Sequence, residues 1–343
     1  MSNQNKPKAV IISDVHYSHK TLEVADAAYR MAIDTAAMLK VPLIDAGDLT
    51  NDKAILRAEV VNRLLTTVDY AFSKGVDIFA LVGNHSLCNE KGEEHALHFL
   101  EASVHIISSP VSIWGFNFIP YQNTQEKMVE ALKKFPKGSE IIIHQGLMGA
   151  NMGDYVQDKT SLDKEVFADY RIISGHYHRK QDIKCGRPRK GAVGLFSYLG
   201  NPYTLTFGEA NDGPKGFHVL LENGLLEFIP TDLRKHYVAN LTLDGLRLVL
   251  AARKVDDLNP NDFLWLKVQG PYSELQKLDK RAIGMKLLGH ANYKLDKIPT
   301  DAVKVISDTQ KLTGEQILDN LIDATAEEPG QKSTLKKLWR EIL

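Results

Sequence analysis

Ala9-Val10-Ile11-Ile12-Ser13-Asp14-Val15-His16 is the stretch that decides the fold. Four apolar residues in a row fit a strand buried on both faces, as in a sheet covered by helices. The strand ends in a carboxylate and an imidazole two residues apart. Near a strand end that spacing can send both side chains toward one shared point. Such a pair suits manganese, iron or zinc better than calcium. Alone it also fits a turn with a polar cap, so the question is whether other strand ends supply more ligands.

Working outward, Ser18 can cap a helix running to about Lys40, with Leu22, Ala25, Ala28, Ala32, Ala36 and Leu39 near helical period. A second strand, Val41 to Asp45, leads to Gly47-Asp48. Asn51 or Asp52 can cap the next helix, whose expected apolar face is Ile55, Val61, Leu64, Leu65, Val68 and Phe72. A third strand, Val76 to Val82, runs into Gly83-Asn84-His85. Strand, helix, strand, helix, strand predicts a layered α/β fold.

The middle is richer in strands. Val104 to Ile107 and Ser112 to Pro120 read as strands and Thr124 to Phe135 as a helix. Glu140 to Ile143 ends at His144, and residues 147 to 164 read as a polar loop. Arg171 to Ser174 ends at Gly175-His176-Tyr177-His178, and short strands follow to about Pro230. Residues 236–300 read as a smaller α/β unit and residues 301–343 as a linker with two C-terminal helices. The last of these has Leu335, Leu338, Trp339 and Ile342 on one apolar stripe.

The 343 residues are long enough for about two domains. Composition is that of an ordinary globular chain, 43% apolar and 25% charged, and the net charge of −1 excludes a general polycation. Two cysteines, Cys88 and Cys185, make no disulfide framework and read as inert thiols in a reducing compartment. The first residues lack a signal-peptide apolar region and no apolar run is long enough to span a bilayer, so a cytoplasmic protein is expected.

Five strand ends thus carry metal-type residues: Asp14 and His16, Asp48, Asn84 and His85, His144, and His176 with His178. In open α/β sheets ligands collect outside the carboxyl ends of the strands. The number of donors suits two metals with one carboxylate shared. His95, His98, His105, His218, His236 and His290 have no such context and read as surface or core histidines. Tyr177 reads as a packing residue.

Asp14-x-His16, Gly47-Asp48, Gly83-Asn84-His85, His144 and Gly175-His176-x-His178 together resemble the signature of the calcineurin-like metallophosphoesterases, over roughly residues 8 to 230. Within them the chain is most similar to the SbcD-type DNA repair nucleases, phage versions included. The segment Ser197-Tyr198-Leu199-Gly200-Asn201-Pro202 through Phe207-Gly208-Glu209, then Lys215-Gly216-Phe217, carries this resemblance, with the smaller α/β unit and the amphipathic C-terminus. The resemblance implies a metallophosphoesterase nuclease domain at residues 1–235, a DNA-capping domain at 236–300 and a tail that docks on an SbcC-type ABC ATPase. It implies that Asp14, His16, Asp48 and His178 hold one metal. Asp48, Asn84, His144 and His176 hold the other, with Asp48 bridging and manganese the expected ion. His85 would act on the scissile phosphate and its leaving oxygen. The implied function is a DNA exonuclease, also an endonuclease, in repair and recombination, working as a bacterial homodimer. Small-substrate phosphatases or cyclic-nucleotide phosphodiesterases of the superfamily, and an inactive scaffold subunit, are the alternatives.

Two features depart from the family pattern: Ser86 stands where an acidic residue is common, and with Asn51 and Asp52 three and four positions after Asp48 a second histidine at this point is absent. Lys184, Arg187, Arg189 and Lys190 are the candidate DNA-backbone contacts, a basic cluster close in sequence to His176 and His178.

Overall fold

The computed structural model describes residues 6–53, 55–89, 94–153, 156–186, 194–252, 259, 261–287 and 292–301. The expected stripe of Leu335, Leu338, Trp339 and Ile342, and Arg187, Arg189 and Lys190, lie outside them. The chain divides into two compact units, Met1–Tyr237 with Asn261–Phe263, and Val238–Pro260 with Leu264–Leu343.

The first unit opens with β1 (Pro7–Ile12), α1 (Leu22–Leu39), β2 (Leu43–Asp45), α2 (Ala58–Ser73), β3 (Ile78–Leu81) and β4 (His105–Ile107). It continues with β5 (Val111–Ile113), β6 (Phe116–Ile119), α3 (Gln125–Leu132), β7 (Glu140–His144), β8 (Asn151–Gly153) and β9 (Val156–Gln157). It closes with β10 (Arg171–Gly175), β11 (Gln181–Cys185), β12 (Gly194–Tyr198), β13 (Gly216–Leu221) and β14 (Leu226–Pro230). Two mixed sheets result, ordered β14-β13-β1-β2-β3-β4 and β11-β12-β10-β7-β6-β5. β1 through β4 are mutually parallel, as are β6, β7, β10 and β12, so their carboxyl ends share an edge within each sheet.

The alternation of side chains along a strand explains the unbroken apolar runs. Ala9 and Ile11 of β1 join Ile44, Phe79 and Leu81 in a core shared with Phe118, Ile142 and Ile173 of the other sheet. Val10 and Ile12 point the opposite way, into a core with Ala25, Ala28, Ala32 and Ala36 of α1 and Leu64 and Val68 of α2. Ile141, Ile143 and Ile172 of the second sheet pack outward on Met128 and Leu132 of α3. Helices therefore flank two face-to-face sheets, and each central strand is apolar on both sides.

Several sequence expectations are corrected. α1 begins at Leu22 rather than beside Ser18, and the Thr21 hydroxyl is drawn to the His16 carbonyl at 2.6 Å. α2 begins at Ala58 after Arg57, so neither Asn51 nor Asp52 caps it. Ile55 and Phe72 are exposed; Val60, Thr67 and Ala71 are buried with Leu64 and Val68, so the real apolar face is rotated from the expected one. The expected strand Ser112 to Pro120 is a hairpin, β5 against β6, turning at Trp114 and Gly115, both at positive φ. Residues 147 to 164 are not a simple polar loop: β8 pairs with β9, and Leu147, Ala150 and Leu162 are buried against the second sheet.

The second unit is built on a three-stranded sheet, ordered β15 (His236–Thr242), β16 (Phe263–Gly270) and β17 (Tyr293–Pro299), of which His236, Tyr237 and Phe263 belong to the first unit. Its helices are α4 (Leu243–Ala252), α5 (Tyr272–Leu275) and α6 (Lys280–Leu287). β16 alternates, burying Leu264, Leu266 and Val268. The stretch from Ala282 is helical, and the last strand follows it. Among the described residues no helix is long and apolar enough to cross a membrane.

Candidate metal centre

The ends of β1 and β2 stay joined beyond their strands. Asp14 N–H donates to the Gly47 carbonyl at 3.0 Å, His16 N–H to Asp48 at 3.0 Å and Tyr17 N–H to Leu49 at 2.8 Å. Asp14, His16, Asp48 and His176 all have positive φ, at 54°, 52°, 56° and 97°. Such backbone is costly for residues with a Cβ and persists only where surroundings enforce it. Here the pins are those amide bonds, the Thr21 hydroxyl on the His16 carbonyl and the Tyr203 hydroxyl, which donates to the Val15 carbonyl.

Glycines let these turns close. Gly47 sits at φ 107°, and a Cβ there would overlap the His144 ring. A Cβ on Gly83 would overlap Asp48 Oδ1.

The residues expected at five strand ends do meet. Donor atoms cluster as Asp14, His16 and His178; as His16, Asp48 and His85; and as Asp48, His144 and His176, each within 4.8 Å. His16 Nε2 lies 3.1 Å from His178 Nε2, and each is 4.0 Å from Asp14 Oδ1. On the other side His144 Nε2 lies 3.1 Å from Asp48 Oδ2 and 3.2 Å from Asn84 Oδ1, which also faces His176 Nδ1 at 2.8 Å. An ion held at about 2.0–2.2 Å by several N and O donors sets neighbouring donors about 3 Å apart, near these spacings.

Hydrogen bonds fix which ring nitrogens are available. His144 Nδ1–H donates to the Ala46 carbonyl at 2.8 Å, which directs Nε2 at Asp48 and Asn84. His178 Nδ1–H donates to Glu209 Oε1 at 3.1 Å, leaving its Nε2 lone pair toward His16. Lone pairs of His144, Asp48 and Asn84 converge on one point, an arrangement that calls for a cation. These groups are placed so that they could hold a metal ion.

Without an ion, protons carry that load. Burial pushes the His144 imidazole down, but the Asp48 carboxylate outweighs it and raises the ring to about 9. Burial likewise pushes Asp48 up, but His144 holds it well below the usual carboxylate range. Burial lowers His16 and His176 to about 3, leaving both neutral and able to ligate. Burial raises Asp14.

His85 is placed differently. Its backbone N–H donates to Asp48 Oδ1 at 2.9 Å, and its ring meets His16 edge-on at 4.9 Å. Its Nδ1–H donates to the Asn51 carbonyl at 2.7 Å, so a backbone group orients the ring where Ser86 supplies no carboxylate. The Ser86 hydroxyl is buried without a partner. A cavity of about 460 Å³ is lined by His16, Asp48, Asn84, His85, His176 and His178 on one side. Lys20, Thr206, Arg234, His236 and Phe263 also line it.

Glu209 was not singled out as a site residue by its sequence context. It is buried, and besides His178 it accepts from Asn201 Nδ2 at 2.9 Å and Leu205 N–H at 3.2 Å, with Lys215 Nζ at 3.2 Å. Burial pushes its carboxyl up, but His178 and Lys215 hold it at about 2. Arg234, His236 and Phe263 were also missed, because they reach the cavity from a segment far along the chain. Lys184 is exposed on β11 and does not line the cavity. Tyr177 is buried and its hydroxyl donates to Asp158. Compared with known proteins, the sequence matches no family model and no curated protein.

Proposed function

We propose that this protein is a metal-dependent phosphodiesterase that hydrolyses DNA, a calcineurin-like metallophosphoesterase of the SbcD type. The observation that supports it is the clustering of Asp14, His16, Asp48, Asn84, His144, His176 and His178, of which His16, Asp48, Asn84, His176 and His178 line one cavity with His85. Two divalent metals, manganese by preference, would supply Lewis-acid stabilisation of the phosphoryl oxygens and activate the attacking water. Asp14, His16, Asp48 and His178 would hold one, and Asp48, Asn84, His144 and His176 the other.

The chain's own chemistry lies in His85. With Nδ1–H committed to Asn51, its Nε2 is the atom left to hold a proton beside the cavity. The imidazolium form gives that proton to the departing sugar oxygen. Lys20 and Arg234 on the wall would counter phosphate charge. An SbcC-type ATPase and a second copy of the chain are the partners in this reading. Leu65 and Phe72, exposed one above the other on α2, give the second copy an apolar contact.

Purified protein with manganese, given linear duplex DNA and a small phosphodiester, tests the reading. DNA degradation that is lost in His85→Ala supports it. Hydrolysis of the small ester alone would replace it with a small-substrate phosphodiesterase, a reading favoured by a cavity within the size range of small-molecule sites.

A further inference from the structure

Residues Ala96–Leu100 form a 3₁₀ turn flanked by His95 and Glu101. With three residues per turn, positions i, i+3 and i+6 fall on one edge. His95, His98 and Glu101 hold those positions. The two imidazoles stack with centroids 4.1 Å apart and planes 19° from parallel. Both present a ring nitrogen to one oxygen, Glu101 Oε1, at 3.8 Å from His95 Nε2 and 2.7 Å from His98 Nδ1.

A surface ion pair between His98 and Glu101 would explain half of this and leave His95 unexplained. His95 is only 7% exposed and its Nδ1 is buried without a hydrogen-bond partner. Its Nε2 is too far from Glu101 for a hydrogen bond. Burial pushes this imidazole below its ordinary value, which keeps it neutral with a lone pair free. The neutral ring can then carry its proton on the partnerless Nδ1 and offer a lone pair on Nε2, the nitrogen that faces Glu101.

We propose that His95, His98 and Glu101 form a transition-metal site separate from the centre at the strand ends. Two imidazoles and one carboxylate with open positions suit zinc or a similar divalent ion. The separations of 2.7 and 3.8 Å bracket the roughly 3 Å expected between donors around one ion, but the two rings stack, so closing the set takes a turn of the exposed His98 ring out of the stack as well as a movement of Glu101. A cavity of about 420 Å³ lined by the same three residues, with Ser108, Tyr121 and Gln122, gives room for water ligands. The site has a mechanical consequence. His95 bridges Leu87, and Cys88 N–H donates to the Glu94 carbonyl at 2.9 Å, so an ion here anchors the segment that carries Asn84 and His85.

The test loads full-length protein with zinc sulfate, dialyses it against metal-free buffer at neutral pH and counts zinc per chain by plasma emission. Wild type is compared with a His98→Ala/Glu101→Gln double variant and with Asp48→Asn. His98 and Glu101 are exposed enough to be changed without disturbing the core. The double variant should carry one zinc fewer than wild type, and Asp48→Asn should keep that zinc. In competition with a chelating dye, His98→Ala alone should weaken this zinc at least tenfold. Equal zinc in wild type and the double variant, or zinc that dialyses away from every form, would overturn the proposal. Because Asp48→Asn reports on the other centre, failure there leaves this result readable.

Discussion

Replacing Glu209 by Gln should weaken one metal position through a tautomer, without touching a ligand. The carboxylate has one oxygen toward His178 Nδ1, at 3.1 Å, and the other toward Asn201 Nδ2, Leu205 N–H and Lys215 Nζ, at 2.9, 3.2 and 3.2 Å. Every one of those neighbours is a donor. A glutamine has only one acceptor oxygen and a donor NH₂. Three donors outnumber one, so the amide oxygen goes to Asn201, Leu205 and Lys215 and the NH₂ faces His178. His178 must then accept at Nδ1 and carry its proton at Nε2, the atom that faces His16 and the first metal position. Lys215 keeps Asp212 at 3.0 Å, so the change does not strand a buried cation. Loss of a carboxylate that orients a ligating histidine costs about 10–100-fold in metal affinity, or about 1.4–2.8 kcal/mol. Isothermal titration with manganese measures this, and nitrogen chemical shifts of labelled histidine report the tautomer. A manganese affinity within twofold of wild type, or a His178 still protonated at Nδ1, would refute the reasoning.

His85→Ala should lower phosphodiester hydrolysis about 10²–10⁴-fold while manganese affinity stays within about twofold, as rate assays and titration together would show. Gly83→Ala should destabilise the fold by about 1–3 kcal/mol in urea unfolding, because the new methyl meets the Asp48 carboxylate. Manganese binding at pH 7 should release a proton, since His144 at about 9 is protonated there and the metal takes its place; affinity should rise between pH 6 and 9, and calorimetry in buffers of different ionisation heat measures the release. Phe72→Ser should change stability by no more than about 0.5 kcal/mol, its side chain being exposed, and sedimentation should show a shift to monomer if α2 carries the dimer contact.

The apolar run before Asp14 and the glycine-punctuated strand ends were legible because strand alternation and strand-end geometry are local properties. They sufficed to predict an α/β arrangement and to name the residues that meet around Asp48. Helix faces were less legible: Phe72 and Ile55 are apolar by composition, yet which side of α2 meets the sheet depends on Val60, Thr67 and Ala71 finding space there. The hairpin at Trp114 and the packed segment around Leu147 were hidden for the same reason.

The sequence by itself determined which strand ends carry metal-type donors, since Asp14, His16, Asp48, Asn84, His144, His176 and His178 each follow a readable strand. Only the tertiary structure decided how those donors are protonated and aimed. Glu209 on His178, the Ala46 carbonyl on His144 and the Asn51 carbonyl on His85 all act across the fold, over sequence separations of 31, 98 and 34 residues. The same holds for His95, which looks like any surface histidine until packing buries its ring and leaves its Nδ1 without a hydrogen-bond partner. A hydrogen bond spends its energy within about 3 Å, and only folding brings such distant residues that close.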